Sequence, residues 1–213
     1  MNPDITQLII EHMAVAVSAA TGVLAAKGKR VDLFGVVVLA LVTALGGGTI
    51  RDLLAGDLPV FWLRDPGYLL NITVTALALF FVRRLRDLPE DVLLVADAFA
   101  LALFTVVGAR KGMVMNFSPP VAVLLGVITG VAGGILRDVL RREIPLVFQP
   151  QIHLYATAAA IGATAYVILY RWWSPDSLGN WIGVGIIFLL RLLGLRLKLA
   201  LPMFQSDKTS NPS

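Results

Sequence analysis

Gly46, Gly47 and Gly48 are followed by Thr49, Ile50, Arg51 and Asp52, and 86 residues later Gly133 and Gly134 are followed by Ile135, Leu136, Arg137 and Asp138. Both phrases interrupt long apolar stretches, where glycine runs and charges are normally avoided, so their repetition points to a pathway through a bilayer. If the two helices break at these glycines, the carbonyls of Thr43, Ala44, Leu45, Thr129 and Gly130 lose helical partners near mid-membrane. Carbonyls freed at the C-terminus of a half-helix carry partial negative charge and suit a dehydrating cation. The hydroxyls of Thr43 and Thr129 would add oxygen ligands. The competing reading is that the small residues only let helices pack closely, as in Gly126-x-x-x-Gly130 and Gly179-x-x-x-Gly183.

Adjacent residues point about 100° apart around an ideal helix, so neither Arg51 and Asp52 nor Arg137 and Asp138 are expected to face each other. The expectation is that they pair across the repeats, Arg51 with Asp138 and Arg137 with Asp52, as gate or pore-wall charges. The alternative is that the arginines snorkel to lipid phosphates. In the same register Glu11 matches Asp97. These acids are either helix-end residues favoured by the dipole or the lining of an aqueous vestibule. Lys111, with Arg110, interrupts the end of an apolar span and is expected either in a solvated loop or at an outer mouth. Arg191 is expected near a cytoplasmic helix end, snorkelling, with an interhelical ion pair as the alternative. His12 has no clustered partners, so no metal site is expected beyond permeant potassium, and no cofactor is expected.

These residues need elements that hold them in lipid. Of 213 residues, 57% are hydrophobic and 15% charged, and the mean hydropathy is +0.80, which places the chain in a membrane. Seven apolar segments approach bilayer length: Ile5–Ala26, Leu33–Gly56, Pro66–Val82, Val92–Gly108, Pro119–Leu140, Ile152–Tyr170 and Trp181–Leu201. The expected organisation is one transmembrane domain over 1–204, with a first repeat at about 5–82, a second at about 91–170 and a seventh helix at about 181–201. A polar C-terminal tail over 205–213 follows. No cleavable signal peptide is read, because the first segment carries Glu11 and His12 and lacks a basic start. The absence of cysteine excludes disulfides and thiolate chemistry.

The net charge of +4 is better explained by cytoplasmic loops than by nucleic acid, which is not expected as a partner. Outside the spans, eleven Lys and Arg fall on one side and four, Arg64, Arg110, Lys111 and Arg171, on the other. The positive-inside rule then puts the C-terminus in the cytoplasm and, with seven spans, the N-terminus outside.

A shift of 86 residues aligns Ala14 with Ala100, Gly22 with Gly108, Thr43 with Thr129, Gly47 with Gly133 and Pro59 with Pro145. One added residue then brings Tyr68 onto Tyr155. Each copy holds three spans. Three is odd, so the second copy enters from the opposite face, and a pseudo-twofold axis in the membrane plane is predicted.

GGGTIRD followed by PVFWLRDP, and GGILRDVL followed by IPLVF and LYATAAAIGA, resemble the two halves of a prokaryotic member of the TRIC family, the trimeric intracellular cation channels. The resemblance runs from Ile5 to about Leu201. It implies an all-α membrane protein of two inverted three-helix repeats plus a seventh helix, with spans two and five kinked at Gly46, Gly47, Gly48, Gly133 and Gly134. Ala132 stands where a full second glycine triplet would begin. The resemblance further implies a homotrimer in the prokaryotic inner membrane with one potassium-permeable pore per protomer. Membrane lipids, anionic ones included, are partners it suggests, although Arg137 and Asp138 stand where animal relatives carry a basic lipid-linked motif.

Inverted repeats and broken helices also suit a secondary transporter of a small solute, and the wider family is also described as a glycine transporter. An enzyme is not expected, since no Ser/His dyad or metal-ligand cluster is legible and Glu11, Asp97, Asp52 and Asp138 are the plausible acids. A retinal protein would need a mid-membrane lysine, and Lys198 lies at the end of the last span.

Overall fold

A computed structural model of the chain describes residues 5–82, 89, 91–149, 155–173 and 177–197, without the side chains of 173 and 177. Among these the structure is all helical: α1 Ile5–Ala25, α2 Leu33–Ala55, α3 Phe61–Arg64, α4 Gly67–Phe81, α5 Asp91–Val114, α6 Pro119–Leu140, a 3-10 turn Leu146–Phe148, α7 Tyr155–Trp173 and α8 Ser177–Leu197. The tail over 205–213 lies outside the described residues.

Helices α1, α2, α5 and α6, with Leu178–Leu197 of α8, are long and apolar enough to cross a membrane, whereas α4 is apolar but 15 residues long. At 1.5 Å per residue, α4 spans only about 22 Å, short of the roughly 30 Å of hydrocarbon.

Local chemistry sets the helix ends. Asp32 caps α2, its carboxylate accepting from Gly35 N at 2.8 Å, and Gly56 closes it in the left-handed region at φ 67°, where glycine carries no Cβ penalty. Pro119 and Pro120 open α6 after Ser118, where a missing N–H costs nothing.

The packing repeats. α1 lies against α2 and α4, as α5 lies against α6 and α7; α2 meets α6 between the repeats, and α8 covers α5 and α7. Two ion pairs sort the loops by face. Lys29 meets Glu143 at 2.8 Å, joining the α1–α2 loop to the segment after α6. Lys111 meets Asp57, joining the end of α5 to the α2–α3 loop. Alternate loops therefore share an end of the bundle, as opposed three-helix repeats require.

Two expectations are corrected. α2 and α6 run without interruption through Gly46–Gly48 and Gly133–Gly134, so the helices do not break there. The glycines instead remove Cβ atoms where the helices meet. The expected fourth span, Val92–Gly108, also continues through Arg110 and Lys111 to Val114. The reason is packing: a Cβ on Gly112 would stand 2.7 Å from the Ala122 α-carbon, so α5 stays in close contact with α6 past the two charges.

Candidate functional site

The crossing of α2 and α6 is reciprocal. A Cβ on Gly47 would lie 2.1 Å from the Thr129 carbonyl oxygen, and a Cβ on Gly133 would lie 2.3 Å from the Thr43 carbonyl oxygen. Any side chain at either position would force the helices apart. The matched contacts follow the 86-residue register and mark the twofold relation between the repeats. Gly46 sits under Leu136, Gly48 against the Phe61 ring, and Gly134 beside the Tyr155 hydroxyl and Asp97.

Thr43 and Thr129 are buried. Each hydroxyl donates to the carbonyl four residues back, Leu39 and Leu125, at 2.5 Å, which fixes the rotamer and leaves the lone pairs free. Ser18 on α1 donates to the Thr43 carbonyl at 3.1 Å. Ser18, Thr43, Thr129, Gly47, Gly133 and Asp97 line a cavity of about 10 Å³ at the crossing, close to the smallest space that holds one water.

On either side of this constriction stands an arginine–aspartate unit. Arg51 Nε donates to Asp52 Oδ1 at 2.8 Å, and Arg137 Nε donates to Asp138 Oδ1 at 2.8 Å. All four residues are buried. The expected pairs Arg51–Asp138 and Arg137–Asp52 are thus replaced by pairs within each repeat. Neighbours about 100° apart on a helix still pair here, because an arginine stem is long enough to bend its Nε back to the next residue. The second aspartate oxygen receives a backbone N–H from the following loop: Phe61 to Asp52 at 2.8 Å and Leu146 to Asp138 at 3.0 Å. Each aspartate therefore anchors the short helical turn after its long helix while holding its arginine.

The repeats differ in what surrounds these units. In the first, Glu11 accepts from the Tyr68 hydroxyl at 2.5 Å and from Gln7 at 2.6 Å. Glu11, Arg51, Tyr68, Arg110 and Lys111 line a chamber of about 470 Å³. At its rim Asp57 accepts from Arg64 and Lys111. The Arg64 hydrogen bond, helped by Lys111, holds the Asp57 carboxyl down at about 2, while Asp57 in turn raises Arg64.

In the second repeat Arg137 Nη1 donates to Asp97 at 2.7 Å, and Tyr155 is buried beside them. Helix α8, which has no counterpart in the first repeat, sets the Arg191 guanidinium 4.5 Å from the Tyr155 ring centroid. Arg191 is fully buried, so the expected snorkelling is corrected: the arginine stacks on an aromatic face, a contact that replaces part of its lost hydration.

The candidate residues thus fall in three groups. Thr43, Thr129, Gly47, Gly133 and Gly134 gather at the constriction, with Asp97 among them; Glu11, Arg51 and Lys111 share the chamber; Arg51 with Asp52, and Arg137 with Asp138, form the buried ion pairs. Tyr68, Tyr155, Ser18 and Asp57 went unassigned by sequence reasoning. The two tyrosines carried a signal, since the repeat register superposes them.

A family model described as "Glycine transporter" matches the chain twice, over residues 8–84 and 94–171. The chain is 44% identical over 201 residues to the UPF0126 inner membrane protein YadS of Escherichia coli K12, covering 93% of this chain and 96% of that one. It is 43% identical over 201 residues to a UPF0126 membrane protein of Vibrio cholerae, covering 94% of this chain and 83% of the relative. The TRIC trimeric intracellular cation channel orthologue of Rhodobacter sphaeroides superposes with a TM-score of 0.84 at 37% identity, over 92% of this chain and all of that one. The chain belongs to the prokaryotic TRIC family. A second TRIC structure, described in terms of conductance through TRIC cation channels, superposes with a TM-score of 0.83 at 33% identity over 94% of this chain. As a TRIC family member the chain is a multi-pass membrane protein whose buried charges sit in its helices, where lipid offers them no partner and each must find one within the fold.

Proposed function

We propose that this protein is a monovalent cation channel, permeable to potassium, that conducts through each protomer between its two inverted repeats. The observation that carries the reading is the reciprocal crossing at Gly47 and Gly133, which encloses a one-water cavity lined by Ser18, Thr43, Thr129 and Asp97 together with Leu101 and Phe104. Hydroxyl, carbonyl and carboxylate groups around a space of that size suit a stripped monovalent cation. Asp97 lines the cavity itself and accepts from Arg137, while Arg51, on the same helix as Gly47, lines the chamber at Glu11. The glycines let α2 and α6 bend when the constriction widens, and Arg51, Asp52, Arg137 and Asp138 act as charged walls of the path on either side of it.

The protomers assemble as a homotrimer, the arrangement named for the Rhodobacter sphaeroides relative. The protein sits in the inner membrane, with the Lys29–Glu143 end and the C-terminus in the cytoplasm and the N-terminus and the chamber outside, an orientation that the distribution of basic residues favours. Anionic lipid accompanies the basic cytoplasmic loops. The protein works without enzymatic chemistry or a cofactor.

A carrier for a small solute such as glycine is the second reading, favoured by the description of the matching family model. The constriction is too small for any amino acid unless the repeats separate. Purified protein in planar bilayers distinguishes the two. Discrete, cation-selective current steps are expected; saturable solute uptake without steps would replace the channel reading with the carrier.

A further inference from the structure

Asn71 on α4 reaches both the backbone and the ring of His12 on α1. Its Nδ2 donates to the His12 backbone carbonyl at 3.1 Å, and a carbonyl only accepts, so the amide nitrogen must face that way. Thr75 donates to the amide oxygen at 3.3 Å, in agreement. The same Nδ2 lies 3.2 Å from His12 Nδ1. That contact is a hydrogen bond when Nδ1 accepts, that is, in the neutral ring with its proton on Nε2.

The ring is also coupled to the chamber. It stacks on Tyr68 with centroids 4.5 Å apart and planes 14° from parallel, and the Tyr68 hydroxyl holds Glu11 at 2.5 Å. Protonating Nδ1 sets N–H against N–H, expels Asn71 and loosens α4 from α1 at the tyrosine that positions Glu11. It also adds a positive charge beside the chamber. The charged and titratable groups lining the chamber that Tyr68 shares with this cluster are Glu11 on α1, Arg51 on α2, Arg64 and Asp65 around α3, Tyr68 on α4, and Arg110 and Lys111 on α5. Four are cationic, so another positive charge opposes cation access.

We propose that His12 is a proton-binding site that regulates the pathway: neutral His12, held by Asn71, keeps Tyr68 and Glu11 in their cation-accepting arrangement, and protonation lowers cation current from the chamber side. Histidine is the side chain whose charge ordinarily changes within the physiological pH range. His12 acts as a positioning residue through Tyr68, and the effect on current rests on the channel reading above.

The test pairs current with a measurement that needs none. In planar bilayers at about 0.1 M potassium, changing the chamber side from about pH 7.5 to about pH 5.5 is expected to lower wild-type current about threefold, and less at about 1 M salt. His12→Gln is expected to lose this response, and His153→Gln, whose site lies outside the described residues, to keep it. Asn71→Asp, a carboxylate that favours the imidazolium, should move the response to higher pH. Nitrogen-15 histidine spectra in nanodiscs should show a neutral Nε2–H tautomer with Nδ1 as acceptor at about pH 7.5, whether or not the protein conducts. A pH response that survives His12→Gln, or an Nδ1–H tautomer in the wild type, would overturn the proposal. Absence of current at every pH would count against the channel reading alone.

Discussion

Gly47 and Thr129 stand in such close contact that a single Cβ on Gly47 would come within 2.1 Å of the Thr129 carbonyl oxygen. The partner contact, Gly133 on the Thr43 carbonyl, repeats it at 2.3 Å. The two together hold α2 against α6 at the narrowest point between the repeats. A carbonyl oxygen cannot be moved aside as a flexible side chain can, so substitution here must displace a helix.

Gly47→Ala and Gly133→Ala are each expected to destabilise the protein by about 1–3 kcal/mol through overpacking and to reduce current. Gly185→Ala, where a Cβ meets nothing within 4 Å in the protomer, should be neutral or stabilise α8 by up to about 1 kcal/mol. Thermal unfolding of the three variants in one detergent checks the order.

Arg137 and Asp97 are expected to show strong coupling in a double-mutant cycle, since removing one partner of a buried pair costs about 3–5 kcal/mol. Arg51 and Asp138 share no contact and should show none, so exchanging those two charges should rescue nothing. Unfolding free energies of the single and double variants decide both.

Tyr68→Phe removes the donor at 2.5 Å from Glu11 and leaves Gln7 at 2.6 Å on the carboxylate. The expected result is a stable protein, weakened by about 1 kcal/mol, with altered conductance from the chamber side. Single-channel current and a thermal melt on the same preparation separate the two effects.

Asp57 is held at about 2 against an ordinary value of 3.8. A depressed carboxylate stabilises the fold fully above its unfolded value and loses that contribution as pH falls through the folded one. The Asp57–Arg64–Lys111 cluster should therefore weaken between about pH 4 and about pH 2, by no more than about 1 kcal/mol because the pairs are partly in solvent. Asp57→Asn should remove this portion of the acid sensitivity in melts over that range.

The repeat was legible because lipid leaves so few acceptable sequences: apolar runs of bilayer length, with Gly47 and Gly133, Thr43 and Thr129, and Arg51 and Arg137 standing out against them. What the glycines do was not legible. A missing side chain serves a helix break and a helix crossing equally well, and only the carbonyls of Thr129 and Thr43 beside Gly47 and Gly133 decide for the crossing. The partners of Arg51 and Arg137 were misread because backbone direction alone ignores the reach of a guanidinium. Burial of Arg191 over Tyr155 depends on where α8 packs, which no repeat register predicts, since α8 has no twin.

The central claim is that cations pass between the repeats at Thr43 and Thr129. The chain contains no cysteine, so single Thr43→Cys and Thr129→Cys variants can be probed with silver ion, a thiol-reactive monovalent cation. Silver is expected to block single-channel current through both variants irreversibly and to leave the cysteine-free wild type conducting. Unaltered current through both cysteine variants would place the pathway elsewhere.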